Sequence, residues 1–163
     1  MNMRNAGFTV LETIVAISVV TVGAIGVFGL VTQSISLNRT SANQAVAVYL
    51  AQEGIELVRN IRDTNFLTLA DPDDWDTNLT VCPGPDGCEL DYDDIVPLAF
   101  ANQKLLIDGG FYNYDTGNET PFVRRIITNQ PHPNMLQVQV RVTWIEQGKE
   151  INVEASTELY NWE

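Results

Sequence analysis

From Thr13 to Asn38 the chain carries 26 consecutive residues without a charged side chain. Its apolar part, Phe8 to Val31, is dense in β-branched and aliphatic residues such as Ile14, Val19, Val22, Ile25 and Leu30. As a helix rising about 1.5 Å per residue, roughly 20 such residues cross the ~30 Å hydrocarbon core of a bilayer, so the segment is long enough to span. The buried core helix of a soluble domain is usually shorter. The apolar region of an ordinary secretory signal runs only about 7–15 residues before a small-x-small site. Ser34-Ile35-Ser36 has the form of such a site, but the run before it is too long.

Glu12 breaks the apolar pattern. A carboxylate at mid-bilayer costs on the order of 2.5–3.5 kcal/mol, less near an interface, and it needs a cationic partner. The uncharged run offers no Lys or Arg. The partner is therefore a group on another molecule or a newly made N-terminus. Gly7-Phe8-Thr9-Val10-Leu11-Glu12 follows a short leader containing Arg4. This string resembles the prepilin signal of type IV pilins and type II secretion pseudopilins. The resemblance implies that residues 1–7 are a leader removed after Gly7 by a prepilin peptidase on the cytoplasmic side. It makes Phe8 the new, methylated N-terminus and Glu12 the acid used in filament assembly.

The charges fit that implication. Cleavage creates an ammonium at Phe8, four residues from Glu12. Between neighbouring subunits in a medium of low dielectric, such a pair attracts strongly enough to set register. Arg4 and Arg39 flank the span almost evenly, so basic residues alone do not orient it. The inside N-terminus and the exported remainder come from the resemblance.

Gly23, Gly26 and Gly29 recur every third residue within the span, where small residues let helices approach closely in lipid. The Val22-Gly23-Ala24-Ile25-Gly26 stretch resembles minor pilins of the PilV type. Major pilins often carry a helix-breaking proline near Gly29, and this chain has none there. That departure favours a minor pilin or pseudopilin. Residues 8–32 are thus expected to form a transmembrane and filament-core helix.

Ser34 to Asp63 also lacks proline, and Val46, Leu50, Gly54, Leu57, Val58 and Ile61 recur with a helical period. This predicts an amphipathic helix over 33–63, with Gly54 allowing close packing on its apolar stripe. Ala51 to Asp63 again resembles the exposed helix half of PilV-like proteins. In the C-terminal third, Leu136, Val138, Val140, Val142 and Trp144 alternate with polar neighbours. Ile151, Val153, Ala155, Thr157 and Leu159 do the same beyond Gln147-Gly148-Lys149. The pattern predicts a hairpin with one face in the core and a further strand at Phe122–Thr128 within a sheet region 121–160. A helix stripe on an antiparallel sheet gives an α+β fold. Pilins share that architecture: a long N-terminal helix, half transmembrane and half amphipathic, packed on a C-terminal antiparallel sheet. By this reading residues 33–163 are the exported pilin head.

Residues 64–120 read as an acidic loop region. Between positions 63 and 94 lie ten acids and no Lys or Arg, among prolines and glycines. Cys82 and Cys88 flank Pro-Gly-Pro-Asp-Gly. Export to an oxidising compartment makes a disulfide between them the expected state. Calcium takes about six to eight oxygens, and Asp86, Glu89, Asp91 and Asp93 are the candidate donors, although their spacing matches no EF-hand. A solvated acidic loop is the plainer reading. One histidine and two cysteines are too few for most zinc sites.

The full sequence of 163 residues carries a net charge of −12, which argues against direct nucleic-acid binding. There is no P-loop, HExxH, GxSxG or dinucleotide fingerprint. His132 sits between prolines without a nucleophile nearby in sequence. Phe111, Tyr112 and Tyr114 read as strand core rather than an adhesive surface. The expectation is a non-enzymatic structural subunit of a type IV pilus, without a required cofactor. It would be inserted in the inner membrane and assembled, with other subunits and a membrane assembly machinery, into an extracellular filament. A type II secretion or competence pseudopilin has the same build. A single-pass anchored module, calcium-binding or adhesive, is the alternative from another class, and it has no use for Glu12.

Overall fold

The computed structural model describes residues 9–69, 71, 74–80, 82 and 86–161. They divide into two units, one ending at Ala42 and the other beginning at Asn43. One helix, α1 (Val10–Thr68), runs through 59 residues with no proline to interrupt it. It continues past the expected end at Asp63, and the chain reaches Pro72 soon after.

Within the first unit α1 turns its large apolar side chains to the outside, from Val10 through Leu37. It is long and apolar enough to cross a membrane. Several of its hydroxyls fold back on the helix itself. Thr13, Ser18, Thr21 and Thr32 donate to the carbonyls of Thr9, Ile14, Ile17 and Phe28 at 2.7–3.2 Å. A polar side chain bonded in this way adds little cost to an apolar surrounding.

The second unit is an α+β arrangement in which the rest of α1 packs against an antiparallel sheet. The strands are β1 (Cys88–Glu89), β2 (Leu98–Ala99), β3 (Lys104–Asp108), β4 (Phe111–Asn113), β5 (Asn118–His132), β6 (Met135–Glu146) and β7 (Lys149–Tyr160). β5 is the hub. One edge pairs with β6, which pairs in turn with β7, and the other edge is shared by β3, followed by β4, and by β1, followed by β2. Sheet pairing therefore begins well before residue 121, inside the stretch expected to be loop. β1 to β4 have only two to five residues each, too short to show alternation in sequence.

The long hairpin follows its pattern. Leu136, Val138, Val140, Val142 and Trp144 are buried, whereas Ile151, Val153 and Ala155 on the outermost strand are only half covered. Gln147 and Gly148 both have positive φ, 51° and 76°, as a two-residue turn of this hand requires. β5 runs further than Phe122–Thr128 because Pro121 lies in an irregularity rather than at its start. The register with β3 shifts between Lys104 and Leu106, and the Thr120 hydroxyl donates to the Leu105 carbonyl at 2.7 Å.

The core lies between α1 and the sheet. Ala47, Leu50, Ala51, Val58 and Ile61 face Phe122, Ile126 and the inner side chains of β6. Val46 and Leu57 only flank the stripe, because the small Ala47 and Ala51 take the deepest positions. At Gly54 the layers approach closely: a Cβ there would meet Val140 Cγ1 at 2.8 Å and Arg124 Cδ at 3.2 Å.

Candidate functional site

Gly7 and Phe8 lie outside the described residues, so the leader junction has no structural counterpart here. The part that follows is defined. Thr9 caps α1: its Oγ1 accepts the Glu12 N–H at 3.3 Å, and its carbonyl accepts the Thr13 N–H at 3.1 Å. Thr-Val-Leu-Glu thus has the order of a capping box, with Glu12 at the third helical position. This local role was present in the sequence but masked by the apolar context. An acid in the first turn also interacts favourably with the positive end of the helix dipole. Among the described residues no basic side chain pairs with Glu12.

In the second unit the expected disulfide is formed between Cys82 and Cys88, with a Cα–Cα distance of 5.0 Å and both residues buried. β5 holds both ends. The Thr128 N–H donates to the Cys82 carbonyl at 3.0 Å, and Cys88 is paired with Ile126. The Thr128 hydroxyl also reaches the Leu79 carbonyl at 2.7 Å. Asn65 fastens the preceding turn, its Nδ2 donating to the carbonyls of Trp75 and Thr77 at 3.0 and 2.9 Å.

The acids after β1 sort into different roles. Glu89 is buried, and its Oε1 accepts the N–H groups of Ala101 and Gln103 at 3.2 and 2.9 Å. It is a structural clamp on the entry to β3 rather than a free donor. Asp86 is exposed in a turn and takes no part in the acid cluster. The expected set of four calcium donors is therefore not assembled as a set. Asp91 and Asp93 do come together, and they are joined by Asp115 from the turn between β4 and β5. One carboxylate oxygen from each of the three lies within 4.8 Å of the others.

Two arms of this trio, Asp91 and Asp115, are positioned by backbone N–H groups. Asp91 is 3% exposed; its N–H donates to Asp94 Oδ2 and its Oδ2 accepts the Tyr114 N–H, both at 3.0 Å. Its Oδ1 is buried and unpartnered. Asn113 Oδ1 accepts the N–H groups of Asp115 and Thr116 at 2.9 and 2.8 Å, which holds Asp115 at the turn. Asp93 is held above the usual carboxylate range, first by the Asp91 carboxyl facing it, since two ionised carboxylates have no hydrogen to share. Asp94 is raised by its burial. Among the described residues none of these four acids has a basic ion-pair partner.

Beneath the cluster lies a group that sequence reading missed. Arg124 is wholly buried on β5, donating to the Leu90 carbonyl at 2.7 Å and, more weakly, to the Leu50 carbonyl at 3.5 Å. Glu53 lies 3.4 Å from its guanidinium. The arginine thereby ties α1, β5 and the residue just before Asp91. The Tyr114 hydroxyl donates to the Arg124 carbonyl at 3.4 Å, and burial pushes this phenol up to about 12. Phe122, Arg124, Ile126 and Thr128 are the buried positions of β5, so the arginine takes a place on its inner face. Tyr112 and Tyr114 pack against the core as expected, whereas Phe111 is 62% exposed and lies against Tyr92, with ring centroids 5.4 Å apart. His132 is exposed at the end of β5, in a shallow hollow with Trp75, Asp76 and Gln130.

Compared with known proteins, the chain matches no family model, no curated protein and no solved structure.

Proposed function

We propose that this chain is a filament subunit of the type IV pilin class, a minor pilin in its detailed features. In this reading the apolar part of α1 anchors the precursor in the cytoplasmic membrane with its N-terminus inside. Prepilin peptidase removes residues 1–7, Phe8 becomes the methylated N-terminus, and the assembly machinery inserts the subunit into an extracellular filament through the same helix. The observation that carries the reading is Glu12, a carboxylate near the start of a helix whose apolar side chains are outside and whose hydroxyls are internally bonded. Such a surface is stable only against lipid or other apolar helices. The remaining charge in it is placed to meet a cation brought by a neighbour.

Glu12 stands at the capping-box position of α1 and carries a charge, and substitution separates the two. Glutamine retains the capping geometry and removes the charge, whereas alanine removes both. The proposal expects Glu12→Gln and Glu12→Ala both to insert in membranes and both to be lost from sheared surface filaments. Filament content that survives in Glu12→Gln would reduce the acid to a cap and remove the assembly role. An anchored module working alone is the second reading. It draws on the acid trio in the compact unit, and it expects both variants to behave as wild type.

A further inference from the structure

We propose that Asp91, Asp93 and Asp115 form a binding site for a hard divalent cation of calcium's size. The inference rests on the compact unit alone and is independent of the filament reading. Two observations carry it. Three carboxylate oxygens from two separate chain segments lie within 4.8 Å of one another, close to the greatest spacing of two oxygens on one calcium, about 4.6–5.2 Å at bonds of 2.3–2.6 Å. The single buried member, Asp91, is 3% exposed and holds an unpartnered Oδ1 while its other oxygen is committed to the Tyr114 N–H. A buried carboxylate oxygen left without a hydrogen-bond partner is costly, and a bound cation satisfies it.

Carboxylate oxygens alone select a hard ion over zinc or copper. Two of the donors, Asp93 and Asp115, are exposed on a loop and a turn, leaving the outer coordination positions to water. This irregular, partly wet set suits calcium, whereas magnesium demands a near-octahedral shell. The charge count and open geometry place the affinity in the range of extracellular modules, a Kd of about 10⁻⁴ to 10⁻³ M. The ion would join the segment after β1 to the β4–β5 turn, which no disulfide does. Arg124 fixes the inner end of that segment through the Leu90 carbonyl, so the cation ties down the outer end.

The test is calcium titration of the full-length chain in detergent at neutral pH, followed by calorimetry and thermal unfolding, with magnesium as the control. The wild type is expected to bind one calcium and to melt at higher temperature as the site fills. Asp93→Asn and Asp115→Asn replace exposed side chains and keep the fold. Each should weaken calcium binding roughly tenfold or more, because ligand charge sets affinity, and each should leave the metal-free melting temperature equal or higher. Asp86→Asn should bind as wild type. No heat and no shift at about 10 mM calcium, tenfold above the weakest affinity of such sites, would overturn the proposal. So would equal responses to magnesium and calcium, or wild-type affinity in Asp115→Asn.

Discussion

Leu30 and Leu50 lie on the same helix, yet Leu30 is 69% exposed and Leu50 is 1% exposed. Around the first, α1 has the composition of a core and no core to enter. Around the second, the same residue types meet a sheet that α1 itself helps to cover. The difference shows that the chain is written for two solvents. From Asn43 onward it buries apolar surface against its own sheet; up to Ala42 it leaves that surface exposed on a helix long and apolar enough to cross a membrane.

The largest effect separates these two leucines. In detergent, Leu50→Ala should cost about 2–5 kcal/mol of unfolding free energy, whereas Leu30→Ala should change it by less than about 0.5 kcal/mol. Denaturant unfolding of both variants checks this, and equal losses would break the contrast. Next is the disulfide. Closing so short a loop contributes roughly 2 kcal/mol, so Cys82→Ser/Cys88→Ser should lose about that much while leaving the apolar part of α1 unaffected by circular dichroism.

The glycines sharpen the contrast in a different way. A Cβ at Gly54 meets Val140 and Arg124, but one at Gly26 meets nothing within 4 Å. Gly54→Ala should therefore destabilise by about 1 kcal/mol, overpacking outweighing the gain in helix propensity. Gly26→Ala should raise the stability of the detergent-solubilised helix by up to about 1 kcal/mol. If Gly26 packs against a neighbour in a filament, the same variant should still lower filament content.

Tyr114 gives the smallest effect and a pH signature. An unfolded tyrosine ionises near pH 10, while this one stays protonated to about 12. Between those values the unfolded chain binds fewer protons than the folded one, so stability falls as pH rises. Tyr114→Phe should cost about 0.5 kcal/mol at neutral pH, the low end for a hydrogen bond, because its bond to the Arg124 carbonyl is long at 3.4 Å. It should also flatten part of the alkaline slope, Tyr112 retaining some of it because burial raises that phenol as well. Chemical unfolding across pH 9–12 measures both.

What was legible in the sequence follows the length of each pattern. The uncharged run, the periodic continuation of α1 and the β6–β7 hairpin each extend over ten or more residues; the structure has one helix through the first two, ending five residues beyond Asp63, and a hairpin at the third. Strands β1 to β4 have no period to show; they exist because β5 offers them an edge. The acid site was half legible for the same reason. Asp91 and Asp93 are neighbours in sequence, but Asp115 is brought to them by the β3–β4–β5 pairing, and Glu89 is removed from the set by two backbone N–H groups. Arg124 was hidden because its nearest partner is a carbonyl, which every residue carries and no pattern marks, and its carboxylate partner Glu53 lies 71 positions away in sequence.

We propose that the apolar half of α1 belongs to a processed, assembling subunit rather than to a simple anchor. Mass spectrometry of the N-terminus of the mature protein tests it most directly. The expected mature chain begins at Phe8 and carries a single added methyl group on its α-amine. A chain beginning at Leu37, or one still beginning at Met1, would contradict it.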